Sequence, residues 1–317
     1  PESSISHSIM IVRPRHHWFR LLFVWYGSVL PQIFGRLTLI FTVSLLSVLC
    51  SNWWLQHFPD SALSIPPFTL MGVALAIFLG FRNSASYERF WEARRQWGIL
   101  LIETRGLVSK LLSSLPGEAH AALHERTTRA LSAFVYALKH QLRDTDATAD
   151  LKRWLTPEMQ AEVVGKRFPT QLILLDISRT LVAEGQAGRL AARVWLAMSR
   201  NLDRLGEASG ACERIANTPI PYTYWVLMNR TVVIYCLLLP IGITTTLGWL
   251  TPLIATFVAY TFLALEMVGE QLEEPFGTEA NDLALDAICH TIECATCELA
   301  GLPVLGEAPV VRDYVLI

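Results

Sequence analysis

Three short stretches of this chain concentrate the side chains able to bind ions. The first is Phe81-Arg82-Asn83-Ser84-Ala85-Ser86-Tyr87-Glu88-Arg89-Phe90-Trp91-Glu92-Ala93-Arg94-Arg95-Gln96-Trp97-Gly98. Arg82, Arg89, Arg94 and Arg95 interleave there with Glu88 and Glu92, while Tyr87, Phe90, Trp91 and Trp97 recur at helical spacing. The simplest account is a helix with aromatic anchors laced by ion pairs one turn apart. The second stretch runs from Glu270 to Asp282 and crowds Glu270, Glu273, Glu274, Glu279 and Asp282 around Pro275-Phe276-Gly277. Carboxylates on such a turn could bind Ca²⁺ through oxygen ligands. Equally, the segment could be a solvated acidic loop that pairs with the arginines of the first stretch. The third is Cys289-His290 with Cys294-x-x-Cys297. A structural zinc site commonly takes four Cys or His ligands, and no second CxxC exists, so small residues packing one helix are the preferred reading.

The elements that must position these groups follow from where charge is absent. Leu37 to Phe81 and Thr231 to Leu265 hold between them one charged residue, Asp60. Soluble helices need a polar face for water, whereas a charge near a bilayer centre costs several kcal/mol. Leu37–Pro59 (23 residues) and Ser61–Phe81 (21) are each uncharged, and about 20 helical residues cross a hydrocarbon core. Trp53, Trp54 and Pro59 suit an interfacial turn between them, with Asp60 at the outer mouth. The 35 residues from Thr231 to Leu265 allow two helices broken at Gly248-Trp249-Leu250-Thr251-Pro252. Four transmembrane helices in two hairpins result. Leu21 to Ile33, apolar and aromatic after a basic cluster, reads as an interfacial helix.

The chain is 52% hydrophobic and 17% charged, with a formal net charge of −2, so nucleic-acid binding is not expected. Arg13, Arg15, Arg20 and Arg36 precede the first apolar run, and basic residues fill the region from Arg82 to Arg230. By the positive-inside rule both termini and the central region face the cytoplasm. No signal peptide is expected, because residues 1–20 lack an apolar core. The six cysteines then sit in apolar runs or on the reducing side. The expected organisation is 1–36 N-terminal and interfacial, 37–81 first hairpin, 82–220 cytoplasmic helices, 221–269 second hairpin, and 270–317 acidic loop, helix and tail.

Between the hairpins the pattern is helical. Leu107, Leu111, Leu112 and Leu115 repeat at three- and four-residue spacing up to Pro116-Gly117. A helix is predicted from about Glu118 to Arg143, another capped by Thr156 with Pro157 at its first position, and one starting at Phe168-Pro169-Thr170. A turn is predicted at Gly185 to Gly188, followed by a helix carrying Arg189 to Ile215. Period-two alternation is absent, so the fold class is all-α.

The Arg-Asn-x-x-x-Tyr-x-Arg-Phe-Trp-Glu-x-Arg-x-x-Trp-Gly segment and Glu-Gln-Leu-Glu-Glu-Pro-Phe-Gly together resemble the bestrophin family, particularly its bacterial members. Trp25-Tyr26-Gly27-Ser28, Ile65-Pro66 and Ile220-Pro221 fit as well, and the likeness covers nearly the whole chain. It implies a homopentameric channel of the bacterial plasma membrane, multi-pass, with one axial pore for small monovalent ions and no enzymatic role. The second span would line an apolar neck, which Ile65-Pro66 and Gly72 place on Ile65, Thr69 and Val73. A frame one residue on gives Leu70, Ala74 and Ile77. A cytoplasmic aperture falls at Leu181 to Gly188, on Val182 and Ala183, with Ile177 as the alternative.

Animal bestrophins bind Ca²⁺ with aspartates after Asn-Pro-Phe-Gly. Here Gln271, Glu274, Glu279 and Asp282 stand at the matching places, and the dilution of aspartate predicts weak or absent calcium gating and no resident cofactor. The absence of lysine and arginine from the neck span, with Asp60 at the mouth, leads to an expected preference for cations such as Na⁺. A chloride-conducting channel of the same fold is the alternative, followed by a secondary transporter, for which the two hairpins show no convincing internal similarity and no ionisable residue sits mid-span.

Overall fold

The computed structural model describes Phe19, Trp25 and residues 28–57, 65–312 and 315–316 of the 317-residue chain. Ten α-helices are described: α1 Leu30–His57, α2 Ile65–Ser114, α3 Ala121–Arg143, α4 Thr148–Leu151, α5 Pro157–Val163, α6 Pro169–Gln186, α7 Ala192–Asn217, α8 Tyr222–Leu247, α9 Thr251–Glu273 and α10 Leu285–Ala300. Short 3₁₀ turns at Glu118–His120 and Gly248–Leu250 precede α3 and α9. One departure from an all-α chain is a two-residue antiparallel pair, Val311–Arg312 with Val315–Leu316. Segments this short have no periodicity to read. The expected interfacial helix at Leu21 to Ile33 and the outer-mouth residue Asp60 lie largely or wholly outside the described residues.

The chain folds as two units. Among the described residues, one falls within Pro14–Phe90 and Pro219–Glu274, the other within Trp91–Thr218 and Pro275–Ile317. In the first unit α1 packs against α8 and α9, which pack on each other across the Gly248–Leu250 turn. Its core is Ile33 and Ile40 of α1, Leu75 and Leu79 of α2, Val232, Cys236 and Leu239 of α8, and Ala255, Ala259 and Leu263 of α9. Two glycines let helices approach where a side chain would collide. A Cβ at Gly72 would strike the Tyr235 hydroxyl, and one at Gly242 would strike the Phe68 ring. The outward faces are also apolar: Phe34, Leu46 and Leu49 of α1 and Leu253 and Phe257 of α9 are exposed. A helix apolar all round needs a non-aqueous surrounding. Three stretches are long and apolar enough to cross a membrane: Leu30–Ser51, Ile65–Ser114 and Tyr222–Glu273, the last broken into α8 and α9.

In the second unit α3 is the hub, buried almost continuously from Thr127 to Lys139 and packed by α6, α7, α4 and α10. The helix punctuation follows the sequence signals. Thr156 Oγ1 accepts from Met159 N at 3.4 Å with Pro157 next in line, and Pro169 opens α6. Asp144 ends α3 in the left-handed region (φ 51°), a conformation that aspartate tolerates better than most residues. Cys289, Cys294 and Cys297 all lie on α10. Cys289 donates to Val135 O and burial pushes its thiol up. Cys294 Sγ is 3.4 Å from His290 Nε2. Among the described residues no three His, Cys, Asp or Glu side chains gather as a metal would need.

Candidate functional site

Helix α2 runs unbroken for 50 residues, so the apolar span and the Arg-rich stretch that the sequence separated at Phe81 are one rod. One face of its first half is committed to the core through Phe68, Gly72, Leu75, Leu79 and the buried Arg82. The opposite face carries Pro66, Leu70, Val73 and Ile77, all exposed within the single chain. A residue turns 100° about a helix, so each register is sampled unequally. Ile65, Thr69 and Val73 are all exposed, and climb progressively onto the free face. Of the other frame, Leu70 is 74% and Ile77 52% exposed, while Ala74 is half-buried. The free face therefore centres between the two frames, with Val73 and Ile77 in its middle.

Below the apolar run α2 meets the end of α9. Arg82 Nη2 lies 3.6 Å from Glu273 Oε2. Glu273 Oε1 also accepts from Ile220 N at 3.1 Å, and Arg89 Nε donates to the Glu273 carbonyl at 2.7 Å. Arginines of the first motif thus pair with the acidic segment, one of the two readings its composition allowed. Within the first motif, Arg95 pairs with Glu92 at 3.6 Å, three residues apart. One helical turn before Gly269–Glu273, the buried Glu266 accepts from Arg36 Nη1 at 3.3 Å and from Asn229 Nδ2 at 2.6 Å. This triad was not among the sequence candidates. Its signal was available, because Arg36 is the last charge before the first apolar run and Glu266 the first charge after the last one.

The aperture candidates are placed by α6. The helix continues through Val182 and Ala183 to Gln186, so the turn expected at Gly185 to Gly188 starts at Ala187, and Val182 and Ala183 lie on the helix before it. Its end is set by Ala187 N donating to Ala183 O and by Gly188 at φ 72°. The next helix begins at Ala192, later than the expected Arg189, since the Arg189 and Leu190 N–H groups close back on Glu184 O. Ala183 is exposed, Val182 half-buried and Ile177 buried at 1%.

Of the possible cation ligands, Gln271 donates Nε2 to Gln32 Oε1 at 2.9 Å and Glu274 is exposed at the end of α9. In the other unit, Asp282 Oδ2 accepts from Glu279 N at 2.7 Å and Leu283 N closes the loop onto Pro275 O at 2.9 Å. Arg143 holds the same loop, donating Nε to Phe276 O at 3.1 Å and Nη1 to Asp286 Oδ2 at 2.7 Å. Lys139 Nζ bridges Asp286 (2.8 Å) and Asp150 (2.9 Å), and His140 Nε2 reaches Asp150 at 2.8 Å. The His140 bond holds Asp150 well below the usual carboxylate range against the opposing effect of burial. Burial raises Asp286, but the Lys139 and Arg143 bonds outweigh it and the net shift is down.

Long helices apolar on every face, with charge confined to their ends, define an integral membrane protein. The chain belongs to the bestrophin family: residues 10–298 match the bacterial/fungal bestrophin proteins. It is 44% identical over 308 residues to a voltage-dependent anion channel-forming protein, RSc3414, of Ralstonia nicotianae, covering 97% of this chain and all of that one. It is 39% identical over 284 residues to YneE of Escherichia coli K12, of the same description, covering 90% and 92%. The crystal structure of a bacterial bestrophin homologue from Klebsiella pneumoniae superposes with a TM-score of 0.82 at 43% identity, covering 86% of this chain and 99% of that one. The names of the sequence relatives do not support the expected cation preference, and the chloride alternative fits them better. That expectation rested on an absence of basic residues from one span, and a neutral neck carries no sign of its own.

Proposed function

We propose that this chain is the subunit of a homopentameric anion channel of a bacterial inner membrane, with four spans, α1, the first half of α2, α8 and α9, and both termini in the cytoplasm. The observation that carries the reading is the free apolar face of α2, which opposes the helix's core face and has no partner among the described residues. Five such faces around an axis make a narrow apolar tube that resists wetting and gates ion entry. Ile65, Thr69 and Val73 are assigned to it, because all three are exposed and Ile65-Pro66 matches the family motif. Val182 and Ala183 are assigned to the cytoplasmic aperture in preference to the buried Ile177. The names of the relatives support anions such as chloride as the permeant species. Asp60 would sit at the outer mouth.

Calcium is not assigned a role. Asp282 and Arg143 already satisfy the Pro275–Leu283 loop from within the protein, so currents are expected to be the same in excess EGTA and in excess Ca²⁺. The deciding experiment is the reversal potential of purified protein in planar bilayers under a NaCl gradient. Reversal near the chloride potential is expected. Reversal near the sodium potential would overturn the anion assignment and leave the channel standing. Absence of current from verified pentamers would count against the channel itself.

A further inference from the structure

Arg82 is the most anomalous charge in the described chain. Its side chain is 0% exposed, yet Nε, Nη1 and Nη2 all lack a hydrogen-bond partner. The 3.6 Å approach to Glu273 is an ion pair without a hydrogen bond. One turn on, Ser86 is also 0% exposed and its Oγ is unpartnered. Arg82 and Ser86 are four residues apart on one helix, so their side chains lie on the same face. A buried guanidinium with its donors unmet is costly, because each donor has given up its hydrogen bonds to water without replacement. Something that accepts hydrogen bonds has to complete this site.

We propose that Arg82 and Ser86 form an internal halide-binding site. The guanidinium N–H groups can only donate and the Ser86 hydroxyl can turn its proton toward the same point, so the site suits a ligand that accepts. The charges agree. Arg82 and Arg89 both face Glu273, whose carboxylate is also occupied by Ile220 N. Glu274, the other carboxylate acting on Arg89, is exposed. Glu273 makes no hydrogen bond to Arg82 and gives its other oxygen to Ile220 N, so it leaves the Arg82 donors unmet. Close packing on the α9 side favours a compact ligand. Gly269 of α9 abuts the site so closely that a Cβ there would strike Asn83 Oδ1 and approach Arg82 Nε. Asn83 Oδ1, itself unpartnered, marks the acceptor wall of the pocket, so the anion belongs on the Arg82–Ser86 side. The site is separate from the choice of permeant ion, since a fixed anion can serve a channel of either selectivity.

The test is a crystal structure of the full chain grown in NaBr, with diffraction collected at the bromine edge. An anomalous peak in contact with Arg82 and Ser86 is expected, several-fold weaker in Ser86→Ala and absent in Arg82→Gln. No peak in wild type, or one unchanged in Ser86→Ala, would overturn the proposal. Should Arg82→Gln fail to fold, the comparison of wild type with Ser86→Ala still decides. A melting temperature that rises saturably with NaBr but not with sodium gluconate is also expected, and equal curves in the two salts would count against the site. A bromide peak together with sodium-selective currents would keep this site and remove the anion-permeation reading.

Discussion

Trp154 donates its indole N–H to Glu293 Oε1 at 3.1 Å, and the same oxygen takes the backbone N–H groups of Leu305 (2.8 Å) and Gly306 (3.0 Å). Tyr136, stacked on Trp154 at 4.2 Å, bonds the other oxygen at 3.4 Å. Glu293 is fully buried and makes no ion pair among the described residues, so these donors satisfy its carboxylate. It fastens the segment after α10 to α3 and to the turn that follows α4.

Removing that carboxylate should be among the most damaging single changes in this unit. Glu293→Ala strands four donors, two of them in buried bonds, and is expected to lower stability by about 3 kcal/mol or more. Glu293→Gln should lose less, because its amide oxygen still accepts from some of the four. Thermal melting followed by tryptophan fluorescence measures both, and an unchanged melting curve for the alanine variant would refute the account.

The Lys139–Asp286–Asp150 network predicts how stability varies with pH. Asp150 and Asp286 are lowered in the folded state, so their contribution is complete above the unfolded carboxylate pKa of about 3.9 and is lost as pH falls through the folded values. Lys139 is raised: burial alone would lower it, but its bonds to Asp286 and Asp150 prevail. Its contribution holds below about pH 10.4 and fades as pH rises through the folded value. Asp286→Asn should cost about 1 kcal/mol at neutral pH, a figure discounted for the partial exposure of Asp286, and nearly nothing in strong acid. A difference from wild type that stays constant down to low pH would exclude the network as its source.

The neck assignment separates two registers by current. Shrinking Ile65, Thr69 and Val73 together to alanine should widen the apolar tube and raise current several-fold. Leu70→Ala with Ile77→Ala should change it little. The reverse result would move the neck one residue along α2.

Gly242 marks a helix contact with no spare room. Gly242→Ala should destabilise the first unit by about 1–3 kcal/mol through overpacking against Phe68, with part of the loss restored by Phe68→Leu in the same chain. Additive effects of the two changes would show that the contact is looser than the backbone geometry requires.

Much of the architecture was legible one residue at a time. The Thr156 cap, the openings at Pro157 and Pro169, and the break at Gly248 fell where local rules put them. The boundaries that slipped had no local marker. Nothing in Phe81-Arg82 announces that a span continues as the same helix, because Arg, Glu and Ala propagate helix as well in water as Leu does in lipid. The end of α6 moved to Ala187 because Arg189 and Leu190 close onto Glu184, a contact that composition does not reveal.

The sequence by itself determined that this is a helical membrane protein with a helical soluble part, and that two motifs flank its apolar runs. Segregation of charge over twenty residues at a time is a one-dimensional property, imposed by the solvent along the chain. Only the tertiary structure decided which face of α2 is buried, that Arg82 meets Glu273 without a hydrogen bond, and that Arg36 and Asn229 close on Glu266. It also showed Arg143 holding the acidic loop and four donors converging on Glu293. Those relationships join residues up to 230 positions apart. They depend on the rotation of each helix about its axis, and a slip of one residue turns a side chain by 100°.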